Sequence, residues 1–180
     1  MARPTAIRSF GKPGDLGWVI QAHGEGYAQE YGWDTSFETL VAQIATEYAA
    51  SHDPAREAAW IAEADGERAG CIFCVADPED AATAKLRLLL ALPSARGLGL
   101  GGALVDTCMA FARQAGYPRM RLWTNDVLIA ARRLYLARGF TLIDSAAHRS
   151  FGADLIGQTY EANLQAPETR QLQSRFLATR

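Results

Sequence analysis

An α/β (α+β) domain with one mixed sheet covered by helices is the fold this sequence predicts. Three observations predict it. Segments of strand-like and helix-like apolar periodicity run in the order β-α-α-β-β-β-α-β-α-β-β, about seven strands and four helices. The length of 180 residues suits one domain, and such a domain buries about 70% of the surface of its unfolded chain. Hydrophobic residues at 49% and charged residues at 21% are ordinary globular usage, which excludes a disordered chain.

Thr5 to Phe10 reads as a short strand ended by Gly11-Lys12-Pro13-Gly14. A helix follows, with Asp15 as its predicted N-cap. Its inward stripe is Leu16, Val19, Ile20, His23, Tyr27 and Glu30, while Gly24 and Gly26 weaken it and allow close approach. A second helix starts at Thr35, where Thr35 and Glu38 match a capping box, and carries Phe37, Leu40, Val41, Ile44 and Tyr48 on one face. Asp65-Gly66 between Trp60–Ala64 and Ala69–Ala76 predicts a hairpin. Lys85 to Leu92 is a further strand, alternating at first and wholly apolar later, so half-exposed and then buried. Pro93 stops it. A helix after the glycine-rich segment buries Leu100, Leu104, Cys108, Phe111 and Ala115 and ends at Gly116. Met120–Thr124 predicts a strand, Val127–Arg138 a helix closed by Gly139, and Phe140–Ser145 with Asp154–Leu164 the last two strands. Residues 1–164 read as the domain and 165–180 as a polar C-terminal tail.

The charge balance, 18 Lys+Arg against 20 Asp+Glu, disfavours nucleic acid as a partner. It leans only slightly against acidic substrates. No apolar run reaches the ~20 residues of a membrane span, and Met1 to Phe10 lacks a secretory signal. Three cysteines, with Cys71-Ile72-Phe73-Cys74 the one Cys-x-x-Cys spacing, point to a reduced, cytoplasmic protein without a metal site. Cys71 and Cys74 fall on opposite faces of one strand, which makes them poor co-ligands.

The segment that carries chemistry is Leu88 to Gly102, a buried strand, a Pro, an Arg and then alternating glycines opening a helix. Unpaired N–H groups at a helix N-terminus point outward, the helix dipole adds positive potential, and glycines let a phosphate approach the backbone. Arg96 adds a formal charge. Gly97, Gly99 and Gly102 also fit G-x-G-x-x-G, but the acid expected about 20 residues on is matched only loosely by Asp126, and too little chain remains for a dinucleotide fold. A P-loop would need Gly-Lys-Ser/Thr where this chain has Gly-Gly-Ala.

Pro93-x-x-Arg96-Gly97-x-Gly99-x-Gly101 resembles the coenzyme A signature of the GNAT (GCN5-related) N-acetyltransferases. Ala131-Arg132-Arg133-Leu134-Tyr135-Leu136-Ala137-Arg138-Gly139-Phe140 is similar to that family's second hallmark. The resemblance runs from about Thr5 to Leu164. The stretches Tyr27–Trp33, Leu122–Asp126 and His148–Gly152 resemble, more narrowly, the acetyltransferase halves of bacterial MarR–acetyltransferase fusions.

The resemblance implies a GNAT-like sheet splayed between strands 4 and 5, with acetyl-CoA as acyl donor and coenzyme A as product. It implies that Leu89, Leu90 and Ala91 offer backbone groups to the pantetheine arm and the oxyanion. Arg96, Gly97, Leu98, Gly99, Leu100, Gly101 and Gly102 form the diphosphate loop. Tyr135 is the implied acid that protonates the leaving thiolate, since a phenol of pKa ~10 is matched to a thiol; the alternative is a core tyrosine. Leu128 stands where many members carry an Asn, and Asn125 is the candidate substitute at the cofactor. The family's carboxylate base is not evident, because its position falls near Trp123.

For the amine acceptor, His23, Tyr27, Glu30 and His148 are the candidate contacts. His23, with an ordinary pKa of ~6.5, suits a base near neutrality or is a half-buried core histidine. His148 is expected in the final hairpin loop, at the acceptor pocket or in solvent; His52 reads as a helix-end residue. Tyr27, Tyr31 and Trp33 gather at Gly32, as pocket wall or as core. Direct transfer in a ternary complex is the expected mechanism. A catalytically idle acyl-CoA-binding module is the alternative. The acceptor's identity is not in the sequence, and a homodimer is implied by resemblance only.

Overall fold

The computed structural model describes residues 3–165, so the predicted tail from 166 onward lies outside the described residues. Strands β1 (Thr5–Ser9), β2 (Ala58–Ala64), β3 (Glu67–Ala76), β4 (Thr83–Ala91), β5 (Arg119–Asn125), β6 (Thr141–Ser150) and β7 (Ala153–Asn163) form one sheet in the order β1-β2-β3-β4-β5-β7-β6. Four helices cover it: α1 (Asp15–Tyr31), α2 (Thr35–Ser51), α3 (Leu100–Gln114) and α4 (Ile129–Leu136). The element order is the predicted one.

Five of the six strand pairings among the described residues are antiparallel. Asp65 and Gly66 both have positive φ, 55° and 81°, as the two-residue turn between β2 and β3 requires. β4 and β5 are parallel, and their pairing is short: Thr83, Ala84 and Lys85 face Arg119, Met120 and Arg121. Beyond Lys85 the strands separate, which is the expected splay. A bulge accompanies it. Cys71 pairs with Leu90 but Phe73 with Arg87, so β4 carries one extra residue there. Leu88, at φ 52°, holds that bulge in the left-handed region. Gly70 fits its other side, since a Cβ there would lie 2.6 Å from the Leu90 carbonyl oxygen.

The sheet has apolar layers on both faces. Ile72, Cys74, Leu86 and Met120 pack with Leu104, Val105 and Cys108 of α3. Ile61, Cys71 and Phe73 pack with Val19, Val41 and Tyr48 of α1 and α2. Cys71 and Cys74 therefore do lie on opposite faces. Leu104 is fully buried, so truncating it to Ala costs about 2–5 kcal/mol.

Both helices start where predicted, at Asp15 and Thr35, but each cap lies one residue earlier than expected. Gly14, left-handed at φ 87°, caps α1, and Asp15 is its first residue. The Asp15 carboxylate instead takes Arg8 and Arg68, each at 2.8 Å, and the N–H groups of Gly11 and Lys12. Asp34 rather than Thr35 caps α2, accepting from Ser36 N–H at 3.0 Å. β6 runs five residues past its expected end, and Phe151-Gly152, at φ 57° and 76°, makes the turn to β7. His148 thus lies within a strand, not in a loop.

Candidate active site

The splay is a consequence of the bulge and of Pro93. β4 turns away from β5 while α3 begins under its end. Leu92 N–H donates to Ala69 across the β3 edge at 2.8 Å. Alternation along a strand then turns the backbone groups of Ala91 and Leu89 to the opposite edge, where β5 no longer reaches. A groove of about 170 Å³ lies there, lined by Tyr27, Glu30, Leu89, Leu90, Ala91, Arg96, Gly101, Leu128, Ala131 and Leu134 among others.

At the groove's end stands the N-terminus of α3. Gly97 and Gly99 have φ of 80° and 74°, with Gly99 as left-handed N-cap. Among the described residues, the N–H groups of Gly97, Gly99, Leu100, Gly101 and Gly102 have no backbone acceptor, whereas Ala103 already bonds to Gly99. A Cβ at Gly97 or Gly99 would meet nothing within 4 Å. Such a cluster of outward donors, with open space before it, fits the diphosphate of coenzyme A. The side chains of Leu98 and Leu100 pack in the core, so these residues can offer only backbone. Gly102 serves packing: a Cβ there would sit 2.5 Å from Arg138 Nη2.

A second cavity of about 100 Å³ adjoins the groove, lined by His23, Trp33, Phe37, Arg87, Trp123, Thr124, Asn125 and Tyr135 among others. Tyr27, Leu89, Leu128 and Ala131 line both spaces, so the two meet at the open edge of β4. Aromatic packing fixes this wall. Tyr27 lies 4.5 Å from Phe37 and 5.1 Å from Trp33, and Trp33 lies 4.9 Å from Phe151 of the β6–β7 turn, ring centre to ring centre. The Phe151 carbonyl accepts from Asp34 N–H at 3.0 Å, tying that turn to α2.

Tyr135, one helical turn beyond Ala131, is 5% exposed and takes no hydrogen bond among the described residues. Burial, with smaller contributions from Tyr27 and Cys108, raises its pKa above the ordinary phenol value, so it stays protonated. His23 is 1% exposed. Its Nδ1 lies 2.8 Å from the Val19 carbonyl oxygen, so Nδ1 carries the hydrogen and donates it. Nε2 is then a lone-pair acceptor, and among the described residues it has no partner. Burial lowers the His23 pKa to about 4, offset in part by the Val19 bond. That corrects the expectation of a base near neutrality: a nitrogen that holds a proton so weakly is poorly matched to an ammonium group.

Asn125 lines the second cavity rather than the groove where it was expected. Its Oδ1 accepts from His148 Nε2 at 2.8 Å, and His148 Nδ1 in turn lies 3.0 Å from Ser150 Oγ. His148 thus sits behind Asn125 and fixes its amide. Glu30 is at the groove's mouth, paired with Arg96, away from the second cavity. Phe37 and Arg87 are cavity residues that no motif marked, while Leu128 and Trp123 were marked only as departures from the expected pattern; the β4 bulge is invisible in an apolar run. Among the described residues, no carboxylate lines the second cavity.

The chain belongs to the acetyltransferase (GNAT) family, whose model matches residues 21–140. Mycothiol acetyltransferase of Beutenbergia cavernae is 34% identical over 93 residues, 52% of this chain and 31% of that protein. This chain therefore spans only about a third of that relative. An uncharacterized N-acetyltransferase of Schizosaccharomyces pombe is 29% identical over 68% of this chain and 74% of its own length. In fold, the chain is similar to an acetyltransferase structure from Salmonella typhimurium solved with acetyl-CoA, with a TM-score of 0.74, 18% identity and coverage of 91% and 96% of the two chains. It is also similar to the ribosomal-protein-S18-alanine N-acetyltransferase of Escherichia coli, with a TM-score of 0.66, 18% identity and coverage of 92% and 98%.

Proposed function

We propose that this protein takes the acetyl group of acetyl-CoA and passes it directly to a primary amine. The observation that carries this is the meeting of groove and cavity at Tyr27, Leu89, Leu128 and Ala131. Acetyl-CoA supplies an activated thioester. The chain's free N–H groups at Gly97 and Gly99 to Gly102 bind the diphosphate, with Arg96 adding charge. The edge groups of Leu89 and Ala91 hold the pantetheine arm, and the Ala91 N–H donates to the oxyanion that develops on the carbonyl. Tyr135 donates its proton to the departing sulfur; the burial that raises its pKa raises a thiolate's as well, so the match is kept.

Holding both reactants in adjoining spaces supplies much of the rate through proximity. With no carboxylate in the cavity, the amine enters as the neutral free base or loses its proton to water. Arg87 favours this, because a neighbouring cation destabilises ammonium. His23 Nε2 accepts an N–H bond and orients the amine rather than deprotonating it. The test is thiol release from acetyl-CoA with a broad amine panel, together with product mass. Amine-dependent thiol release is expected. Calorimetric acetyl-CoA binding with no product from any amine would instead identify a non-catalytic acyl-CoA-binding module.

A further inference from the structure

Among the described residues, Arg87 is the one cationic side chain lining the second cavity. It is part-buried on β4, and among the described residues it takes no hydrogen bond or ion pair. The carboxylates nearest in field are Asp77 and Glu47, and neither bonds to it. Asp77 is already taken by Lys85 at 3.1 Å. A guanidinium brought partly out of water with no bonded counter-ion, Glu47 only sharing the lining of the neighbouring space, is unfavourable unless a ligand completes it. Its fork of donors matches a carboxylate in two-pronged fashion.

A second donor faces the same space. His148 Nε2 occupies the Asn125 Oδ1 at 2.8 Å, which leaves the Asn125 Nδ2 hydrogens to point elsewhere. Asn125 is 2% exposed and lines the cavity with Arg87. Opposite in character, His23 Nε2 is a buried acceptor without a donor in that same wall. Apart from Thr124, the rest of the lining is apolar or aromatic, with Trp33, Phe37, Leu40, Ile44 and Trp123 among it. A cation and an amide donor for an anion, an acceptor for an N–H group, and an aromatic sleeve describe one kind of guest.

We infer that the acetyl acceptor is an amine that itself bears a carboxylate and an apolar or aromatic body, its carboxylate held by Arg87 and the Asn125 amide. The amine part rests on the acetyltransferase reading; the carboxylate part rests on Arg87. The near-neutral balance of the whole chain does not oppose this, since a single unpaired cation in a small cavity outweighs a diffuse net charge.

Matched pairs that differ only in the carboxylate test it: L-tryptophan against tryptamine, L-phenylalanine against phenethylamine, L-leucine against isoamylamine. The wild type should prefer the acid member of at least one pair by about tenfold or more in kcat/KM, the range expected of charge-assisted hydrogen bonds. Arg87→Gln should bring that ratio to within about twofold of one. A wild type that treats both members alike, or an Arg87→Gln protein that keeps the ratio, overturns the assignment. Arg87→Met, which keeps the packing of the stem, carries the same comparison if Arg87→Gln does not fold by circular dichroism. Calorimetric binding of the same pairs reads the carboxylate without turnover. If no amine is acetylated, transfer fails as a reading; preferential binding of the acid members that Arg87→Gln or Arg87→Met abolishes still supports the carboxylate site, and equal binding overturns it.

Discussion

Glu30 of α1 and Arg96 of the glycine-rich segment are joined in an ion pair across the mouth of the cofactor groove. Both side chains reach solvent, at 33% and 64% exposure, so the pair is weak enough for a diphosphate to displace. Glu30→Gln frees Arg96 for that ligand. Calorimetry at low salt should show acetyl-CoA binding tightened by up to about fivefold, the limit set by an exposed pair. Weaker binding in the variant would place Arg96 outside the diphosphate site.

Tyr135→Phe removes the proton donor while keeping the ring that packs 5.8 Å from Phe140. Turnover should fall by about 10²–10⁴-fold, the usual contribution of a positioned acid. The KM for acetyl-CoA should move by less than about twofold, because the hydroxyl touches no diphosphate donor. Unchanged turnover across the pH range would rule out the role.

Gly99→Val tests the anion cradle. Gly99 sits at φ 74°, which a β-branched residue adopts only with strain of about 1–3 kcal/mol. The new side chain would also stand where the free N–H groups point. Acetyl-CoA affinity should drop by more than about tenfold in calorimetry while the far-ultraviolet spectrum stays native. Full-strength binding would contradict the cradle.

Two buried groups set the stability profile in acid. Burial lowers the His23 pKa to about 4, below its ordinary 6.5, so the unfolded chain binds the extra proton first. Stability is full above pH 6.5 and is lost as pH falls from 6.5 toward 4. The loss is on the order of 3 kcal/mol at most, from 1.36 kcal/mol per unit. For Asp15, desolvation pushes the pKa up, but the bonds from Arg8, Arg68, Gly11 and Lys12 win and hold it well below the usual carboxylate range. Its stabilisation is present above about pH 4 and disappears only at lower pH. Thermal melts should show two acid losses, and His23→Leu should remove the one between pH 6.5 and 4. A variant with the wild-type slope in that window would contradict the buried, uncharged imidazole.

Periodicity and turn chemistry made the fold legible. Asp65-Gly66, Gly139 and the α3 stripe of Leu100, Leu104 and Cys108 each carry a local signal with one structural solution. The end of β6 did not, because Thr141–Ser150 is an edge strand exposed along most of its length and shows no clean alternation. The helix starts were legible, but the caps slipped by one residue where a glycine (Gly14) or an Asp one position earlier (Asp34) competed with the expected residue. The glycine-rich segment with its free backbone N–H groups was legible because glycine spacing is a backbone requirement. The second cavity was not, since Arg87, Trp123 and Phe37 lie far apart in the sequence and come together only in the folded chain. His23 and His148 illustrate the limit: both were visible as titratable residues, but tautomer and partner, Val19 for one and Asn125 for the other, depend on tertiary packing.

Direct transfer across the open edge of β4 is tested most directly by mixing the protein with acetyl-CoA, with and without amines from the panel, and weighing both protein and small-molecule products. Free thiol should appear only when an amine is present, matched one for one by N-acetylated amine, with the protein mass unchanged. Thiol release without amine, an acetylated protein on the path to product, or tight acetyl-CoA binding with no acetylated amine from any source would contradict it.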